Sequence, residues 1–160
     1  MSLPDQGPVG DPASSRDPRP AASSDLPAIR GLVQRAYAKY ADRMDQLPRP
    51  VRADYVAEQQ AGQIWVAGEP IVGVIVLIRE PDCLLIENVA IDPVVQGTGL
   101  GRRLMEFAQE QATSSGLDRL RLYTHEVMTE NLAIYLHLGY HETERRSEDG
   151  YHRIFMSKTL

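Results

Sequence analysis

The chain has one cysteine, Cys83, in 160 residues. An intramolecular disulfide is therefore excluded, and the composition suits a reducing compartment, the cytoplasm. Long apolar runs are also lacking. The longest, Ile71 to Ile78, is far short of the roughly 20 residues that cross a bilayer, so no membrane partner is expected. No charged start leads into an apolar stretch, so a secretory signal is not indicated. There is no excess of basic residues: 17 Lys and Arg stand against 22 Asp and Glu, a net charge of −5, and the basic residues are scattered. Nucleic acid is thus not an expected partner, and a cationic substrate is mildly favoured. His137, His141 and His152 lack metal-ligand spacing with one another or with Cys83, and no metal is expected. No internal repeat is present, and 42% hydrophobic composition fits one domain with a single core.

What is present is concentrated in Asp92-Pro93-Val94-Val95-Gln96-Gly97-Thr98-Gly99-Leu100-Gly101-Arg102-Arg103. An apolar run, Cys83 to Ile91, precedes it and a helical pattern to Ser115 follows. Glycines at 97, 99 and 101 permit positive φ and let a ligand approach the amides without a Cβ in the way. A helix opening there adds its unpaired first-turn N–H groups and the positive end of its dipole, the makings of an anion site. Arg102 and Arg103 sharpen that reading, since cations at a helix N-terminus oppose the dipole unless an anion sits between. The dinucleotide fingerprint needs G-x-G-x-x-G directly after a strand, and the P-loop needs Lys-Ser or Lys-Thr after its last glycine. Neither pattern fits G-x-G-x-G followed by Arg-Arg.

Around this stretch the chain divides readily. Residues 1–24, with Pro4, Pro8, Pro12, Pro18 and Pro20 among Ser, Asp and Gly, read as a flexible arm, and 25–160 as the domain. Leu26, Ile29, Val33, Ala36, Tyr37 and Tyr40 form a helical stripe with Ser24 or Asp25 as N-cap. A weaker helix is predicted over Val51 to Ala61. Ile64 to Ala67, Ile71 to Ile78 and Cys83 to Ile91 read as an antiparallel meander. Gly99 to Ser115 reads as a helix closed by Gly116, and Leu120 to Thr124 as a strand parallel to the one ending at Ile91 through a right-handed crossover. A helix over Thr129 to Leu138, closed by Gly139, and a hairpin of Tyr140 to Arg146 with Tyr151 to Ser157 complete the chain. The fold class is α/β: a mixed sheet of six or seven strands with about four helices.

The glycine stretch resembles the acyl-CoA loop of the GNAT superfamily of N-acetyltransferases, Arg or Gln, two residues, Gly, any residue, Gly or Ala, at Gln96, Gly99 and Gly101. Asn131, Ala133, Tyr135, Leu138, Gly139 and Tyr140 match that family's later signature, and the order of elements from Asp25 to Leu160 is similar to its whole fold. Family members usually open with a strand before the first helix, and Asp17-Pro18-Arg19-Pro20 is a poor one.

The resemblance implies a splayed central parallel pair of strands, with acetyl-CoA as cofactor in the gap. Gln96, Gly97, Thr98, Gly99, Leu100, Gly101 and Arg102 would hold its pyrophosphate, and the backbone of Val89, Ala90 and Ile91 would pair with pantetheine. Asn131 would face the cofactor, and Tyr135 would be the acid at its sulfur. Glu87 is the first candidate for the general base, a carboxylate among apolar strand residues whose pKa burial would raise. His125, at a strand end near the opening, is the second. Glu58, Trp65, Tyr37 and Tyr40 are candidate residues on the acceptor side, as is one face of the last strand. Cys83 reads as an inert core thiol.

The expected function is acetyl transfer to a primary amine, borne by a small molecule or a peptide, by direct attack in a ternary complex. The residues do not choose the acceptor or decide on a homodimer. Two alternatives stand beside it: a non-catalytic sensor of acyl-CoA, and a nucleotide-binding α/β protein.

Overall fold

The computed structural model describes residues 16–160. Most of the proposed arm, residues 1–15, lies outside the described residues, but its expected end at Ser24 is displaced. A two-residue strand, β1 (Arg19–Pro20), pairs antiparallel with Val66 and Trp65. Its place at the sheet edge explains how proline is accommodated, because an edge position does not require the missing N–H. Asp25 sits at the N-cap of helix α1 (Leu26–Tyr37), yet its side chain makes no cap bond. It instead takes hydrogen bonds from Arg19 at 2.8 Å and from the Ala22 N–H at 2.7 Å, tying β1 to the helix start.

The weaker helix expected over Val51 to Ala61 is two short ones, α2 (Arg49–Arg52) and α3 (Tyr55–Gln60). Asp54 interrupts them and caps α3, accepting from the Ala57 N–H at 3.0 Å. Strands β2 (Ile64–Ala67), β3 (Gly73–Arg79) and β4 (Leu84–Ile91) form the meander. Helix α4 (Leu100–Ser114) crosses to β5 (Arg119–His125), α5 (Thr129–His137) follows, and β6 (His141–Glu148) and β7 (Tyr151–Thr159) form the terminal hairpin. Asp149 and Gly150, at φ 54° and 82°, supply the left-handed turn that the hairpin needs.

The seven strands among the described residues join one sheet in the order β1-β2-β3-β4-β5-β7-β6. Its two faces bury different clusters. Leu100, Leu104, Phe107 and Ala108 of α4 pack on Ile75, Ile86, Leu122, Ile154 and Met156. On the other face, Ile29, Leu32 and Val33 of α1 pack with Tyr55 on Val66, Val74 and Val76. The amphipathic stripes of the two long helices explain this layering. Gly73 is required under α4, since a Cβ there would lie 3.0 Å from Leu100 and 3.3 Å from Leu104.

Two features of β4 position the site. It pairs with the parallel β5 only from Leu84 to Ile86, opposite Leu120 to Leu122, so the edge from Glu87 to Ile91 has no strand beside it among the described residues. A bulge against β3, where Val76 faces Asn88 but Leu77 faces Ile86, leaves Glu87 as the extra residue. Bulges re-aim side chains, and this one turns Glu87 toward the splay.

Candidate active site

Two cavities open into the splay. The first is lined by Val89, Ile91, Gln96, Gly97, Gly99, Gly101, Arg102, Asn131 and Tyr135. Gly97 and Gly99 take φ of 82° and 91°, and a Cβ on either would meet nothing within 4 Å. These glycines therefore serve conformation and open approach rather than packing. Among the described residues, the N–H groups of Gly97, Gly99, Leu100, Gly101 and Arg102 find no hydrogen-bond acceptor. Five unpaired donors at the start of a 15-residue helix form an anion cradle.

The Thr98 N–H is turned back to Val95 O at 3.3 Å, and its hydroxyl to the same oxygen at 2.6 Å. Arg102 is exposed beside the cradle. Arg103 points away, held by Asp17 at 3.1 Å and Glu110 at 3.2 Å. Asp92 anchors the turn before the loop, accepting from Arg35 at 2.8 Å and from the Val94 N–H at 3.1 Å. The Arg35 guanidinium holds its carboxyl below the usual range.

The β3–β4 register decides which backbone groups face this cavity. The Asp92 N–H donates to Val72 O at 2.8 Å, so hydrogen-bonded pairs alternate back through Ala90–Val74 and Asn88–Val76. The N–H and C=O of Val89 and Ile91 thus point to the unpaired edge, whereas those of Ala90 are engaged with β3. Ala90 consequently drops out of the expected backbone set.

The second cavity is lined by side chains: Tyr37, Arg49, Glu87, Asn88, Tyr123, His125, Tyr151 and Arg153 among them. Val89, Asn131 and Tyr135 line both cavities. Tyr135 is where they join. Its hydroxyl makes no hydrogen bond among the described residues, and burial pushes its pKa up to about 12, so it keeps its proton at neutral pH.

Glu87 does not sit among apolar side chains as expected. Its carboxylate accepts from the Tyr123 hydroxyl at 2.6 Å and lies 3.6 Å from the Arg49 guanidinium. The bulge in β4 and the start of α2, which carries Arg49, bring these partners together. His125 is poorly placed to act as a base. The Val127 N–H approaches its Nδ1 and the His152 N–H its Nε2, each at 3.2 Å, while a neutral imidazole has only one acceptor nitrogen. Burial, and then His152, push its pKa down.

Behind Glu87 lies Glu58, in a smaller cavity bounded also by Tyr55, Asn88 and Tyr123. Its Oε1 is buried without a partner among the described residues, and burial, then the Glu87 charge, push its pKa up to about 7. The environment expected for Glu87 therefore belongs to Glu58. A hydrogen-bonded chain braces the wall between them: Tyr37 donates to Asn88 at 2.7 Å and to Val89 O at 3.3 Å, Asn88 to Tyr55 at 3.2 Å, and Tyr55 to Pro50 O at 2.5 Å.

Trp65 is not on the acceptor side. It packs on Phe107 under α4, with ring centroids 5.6 Å apart. Tyr40 is buried beside Tyr37. Cys83 is buried and donates to Glu80 at 3.1 Å, and burial pushes its thiol up to about 11, as an inert thiol should be. Arg49, Asn88 and Tyr123 were missed by the sequence reading. Strand alternation offered a signal for Tyr123, which has opposite parity to core residues Leu120 and Leu122; nothing in the sequence marked Arg49.

The family model for the acetyltransferase (GNAT) domain matches residues 60–142, a span that holds the glycine loop, β4, β5 and α5. The chain belongs to this family of acetyl-CoA-dependent N-acetyltransferases. Over 132 residues it is 29% identical to the uncharacterized N-acetyltransferase YjgM of Escherichia coli (strain K12), covering 72% of this chain and 76% of that protein. Over 64 residues it is 41% identical to N-alpha-acetyltransferase 80 of Mus musculus, covering 40% of this chain but only 19% of that longer protein. The fold matches PaiA N-acetyltransferase from Thermoplasma acidophilum, solved with coenzyme A, at a TM-score of 0.75 and 16% identity over 91% of this chain and 99% of that one. No helix among the described residues is long and apolar enough to cross a membrane.

Proposed function

We propose that the protein acetylates a primary amine, on a small molecule or a peptide, by direct attack within a ternary complex. The observation that carries this reading is the meeting of the two cavities at Tyr135, one with an anion cradle at its far end and the other lined by titratable side chains. Acetyl-CoA, when bound, supplies an activated acetyl group as its thioester. The donors from Gly97 to Arg102 fit its pyrophosphate, and the free edge at Val89 and Ile91 fits the amides of an extended pantetheine arm. One of these backbone N–H groups is available to polarise the carbonyl under attack.

Glu87 accepts the proton that the amine must lose, with Tyr123 and Arg49 fixing its carboxylate. Tyr135 gives its hydroxyl proton to the departing sulfur, and Asn131, one turn earlier on α5, borders the same junction. The buried thiol of Cys83 supports a reducing compartment, and we place the protein in the cytoplasm.

The test is thermal unfolding with saturating acetyl-CoA, coenzyme A, ATP and NAD, followed by thiol release across an amine panel. Binding at 100 times Kd stabilises by about 2.7 kcal/mol, so acetyl-CoA and coenzyme A alone should raise Tm by several degrees. Stabilisation by ATP or NAD instead would favour a nucleotide-binding protein. Stabilisation by acetyl-CoA with no thiol release would favour a sensor.

A further inference from the structure

The acceptor cavity contains a guanidinium with more donors than partners. Arg153, on β7, has a side chain only 10% exposed, and its Nη1 pairs with Glu148 at 2.5 Å. Its Nη2 is buried and has no hydrogen-bond partner among the described residues. Glu148 meets only Nη1, through Oε2, and its Oε1 accepts from the Arg146 Nε at 2.7 Å. The Tyr123 ring at 4.4 Å and the Tyr151 ring at 5.5 Å hold the guanidinium by their faces, which attract the charge without accepting its in-plane N–H groups.

Arg49 lines the same cavity. Two guanidiniums thus face one carboxylate there, Glu87, with His125 disfavoured as a cation by its burial and by His152. Buried polar atoms normally find partners, and a planar fork with a free donor matches a carboxylate. The chain is acidic as a whole, but this wall is not, so the cationic substrate suggested by net charge does not follow here.

Resting on the acetyltransferase reading above, we propose that the acceptor is an amine that also carries a carboxylate, bound through Arg153 Nη2. The carboxylate belongs either to a free amino acid or to an acidic first residue of a peptide. Its amino group then lies on the Glu87 side of the cavity.

The experiment measures thiol release from acetyl-CoA by the full chain with L-leucine, L-phenylalanine and L-glutamate, their α-amides, phenethylamine, spermidine, and amidated peptides beginning with Asp or Ala. Amino acids should exceed their amides in kcat/KM by roughly tenfold or more, and Arg153→Gln should erase that ratio mainly through KM. Preference for the Asp peptide over the Ala peptide, without preference among free amino acids, assigns the carboxylate to a peptide side chain. Equal turnover with and without a carboxylate, or a ratio that survives Arg153→Gln, overturns the proposal.

Arg153→Lys, which keeps the charge but not the fork, guards against a folding defect, and both variants are first checked for an unchanged Tm shift with acetyl-CoA. Calorimetry of N-acetyl-leucine against its amide on coenzyme A-loaded protein reads the same contact without turnover. Selective carboxylate binding without acetylation of any amine would sink the enzymatic reading and leave this one standing. Acetylation confined to amines lacking a carboxylate would do the reverse, and no discrimination in calorimetry, either between N-acetyl-leucine and its amide or between the N-acetylated Asp and Ala peptides, would overturn the proposal whatever the turnover.

Discussion

The two cavities that meet at Tyr135 are made of different material. The cavity proposed for the cofactor is built mainly from main chain: N–H groups of the glycine loop and the open edge of β4. The cavity proposed for the acceptor is built from side chains delivered by separate elements, Tyr37 from α1, Arg49 from α2, Glu87 from β4, Tyr123 from β5, and Tyr151 and Arg153 from β7. A site made of backbone depends on conformation and tolerates most side-chain changes. A site made of converging side chains is altered by single substitutions, and a common cofactor can thereby serve different acceptors.

The sharpest test falls on the junction. Tyr135→Phe should lower kcat by about a hundredfold or more while leaving the acetyl-CoA Tm shift in place, as loss of a general acid requires; an unchanged kcat removes Tyr135 from proton transfer. On the acceptor side, Glu87→Gln should lower kcat on the order of a hundredfold, whereas His125→Gln should cost far less. The opposite ranking in steady-state kinetics would transfer the base to His125.

On the cofactor side, Gly99→Val forces a β-branched residue to φ near 91°, a strain of about 1–3 kcal/mol. It should weaken acetyl-CoA about tenfold in calorimetry and leave acceptor KM in place, which would show that the two halves are separable.

The smallest effect concerns Glu58. Its folded pKa of about 7 lies above the ordinary carboxylate value of 4.5, so the folded state holds the proton more tightly than the unfolded one. Its contribution to stability is therefore present below about pH 4.5 and lost as pH rises through about 7. Glu58→Gln should flatten that slope in denaturant titrations and raise stability at pH 8 by about 1 kcal/mol, well under the full shift because part of the carboxyl reaches solvent. An unchanged slope would place Glu58 in contact with a partner.

Legibility in the sequence followed the same division. The glycines, the two amphipathic helices and the Asn131–Tyr135 spacing were readable because each is a local pattern with a fixed period or a required φ. The short edge strand at Arg19–Pro20 was obscured because its hydrogen bonds depend on β2, not on its own composition. Glu87 was placed in the wrong surroundings because the bulge and Arg49, 38 positions earlier in the sequence, are contacts of register and topology. Ala90 was offered as a backbone partner because alternation along β4 was not phased until β3 was paired to it.

The sequence by itself determined a family, a glycine loop and the Asn131–Tyr135 spacing on a helix, since these rest on backbone conformation and helical periodicity that neighbouring residues specify. Tertiary structure alone decided which carboxylate keeps company with which cation: it paired Glu87 with Arg49 and Tyr123, left Glu58 half-buried, and gave Arg153 a buried donor without a partner among the described residues. Electrostatic surroundings come from residues far apart in the chain, and only the packed sheet brings them within reach of one another.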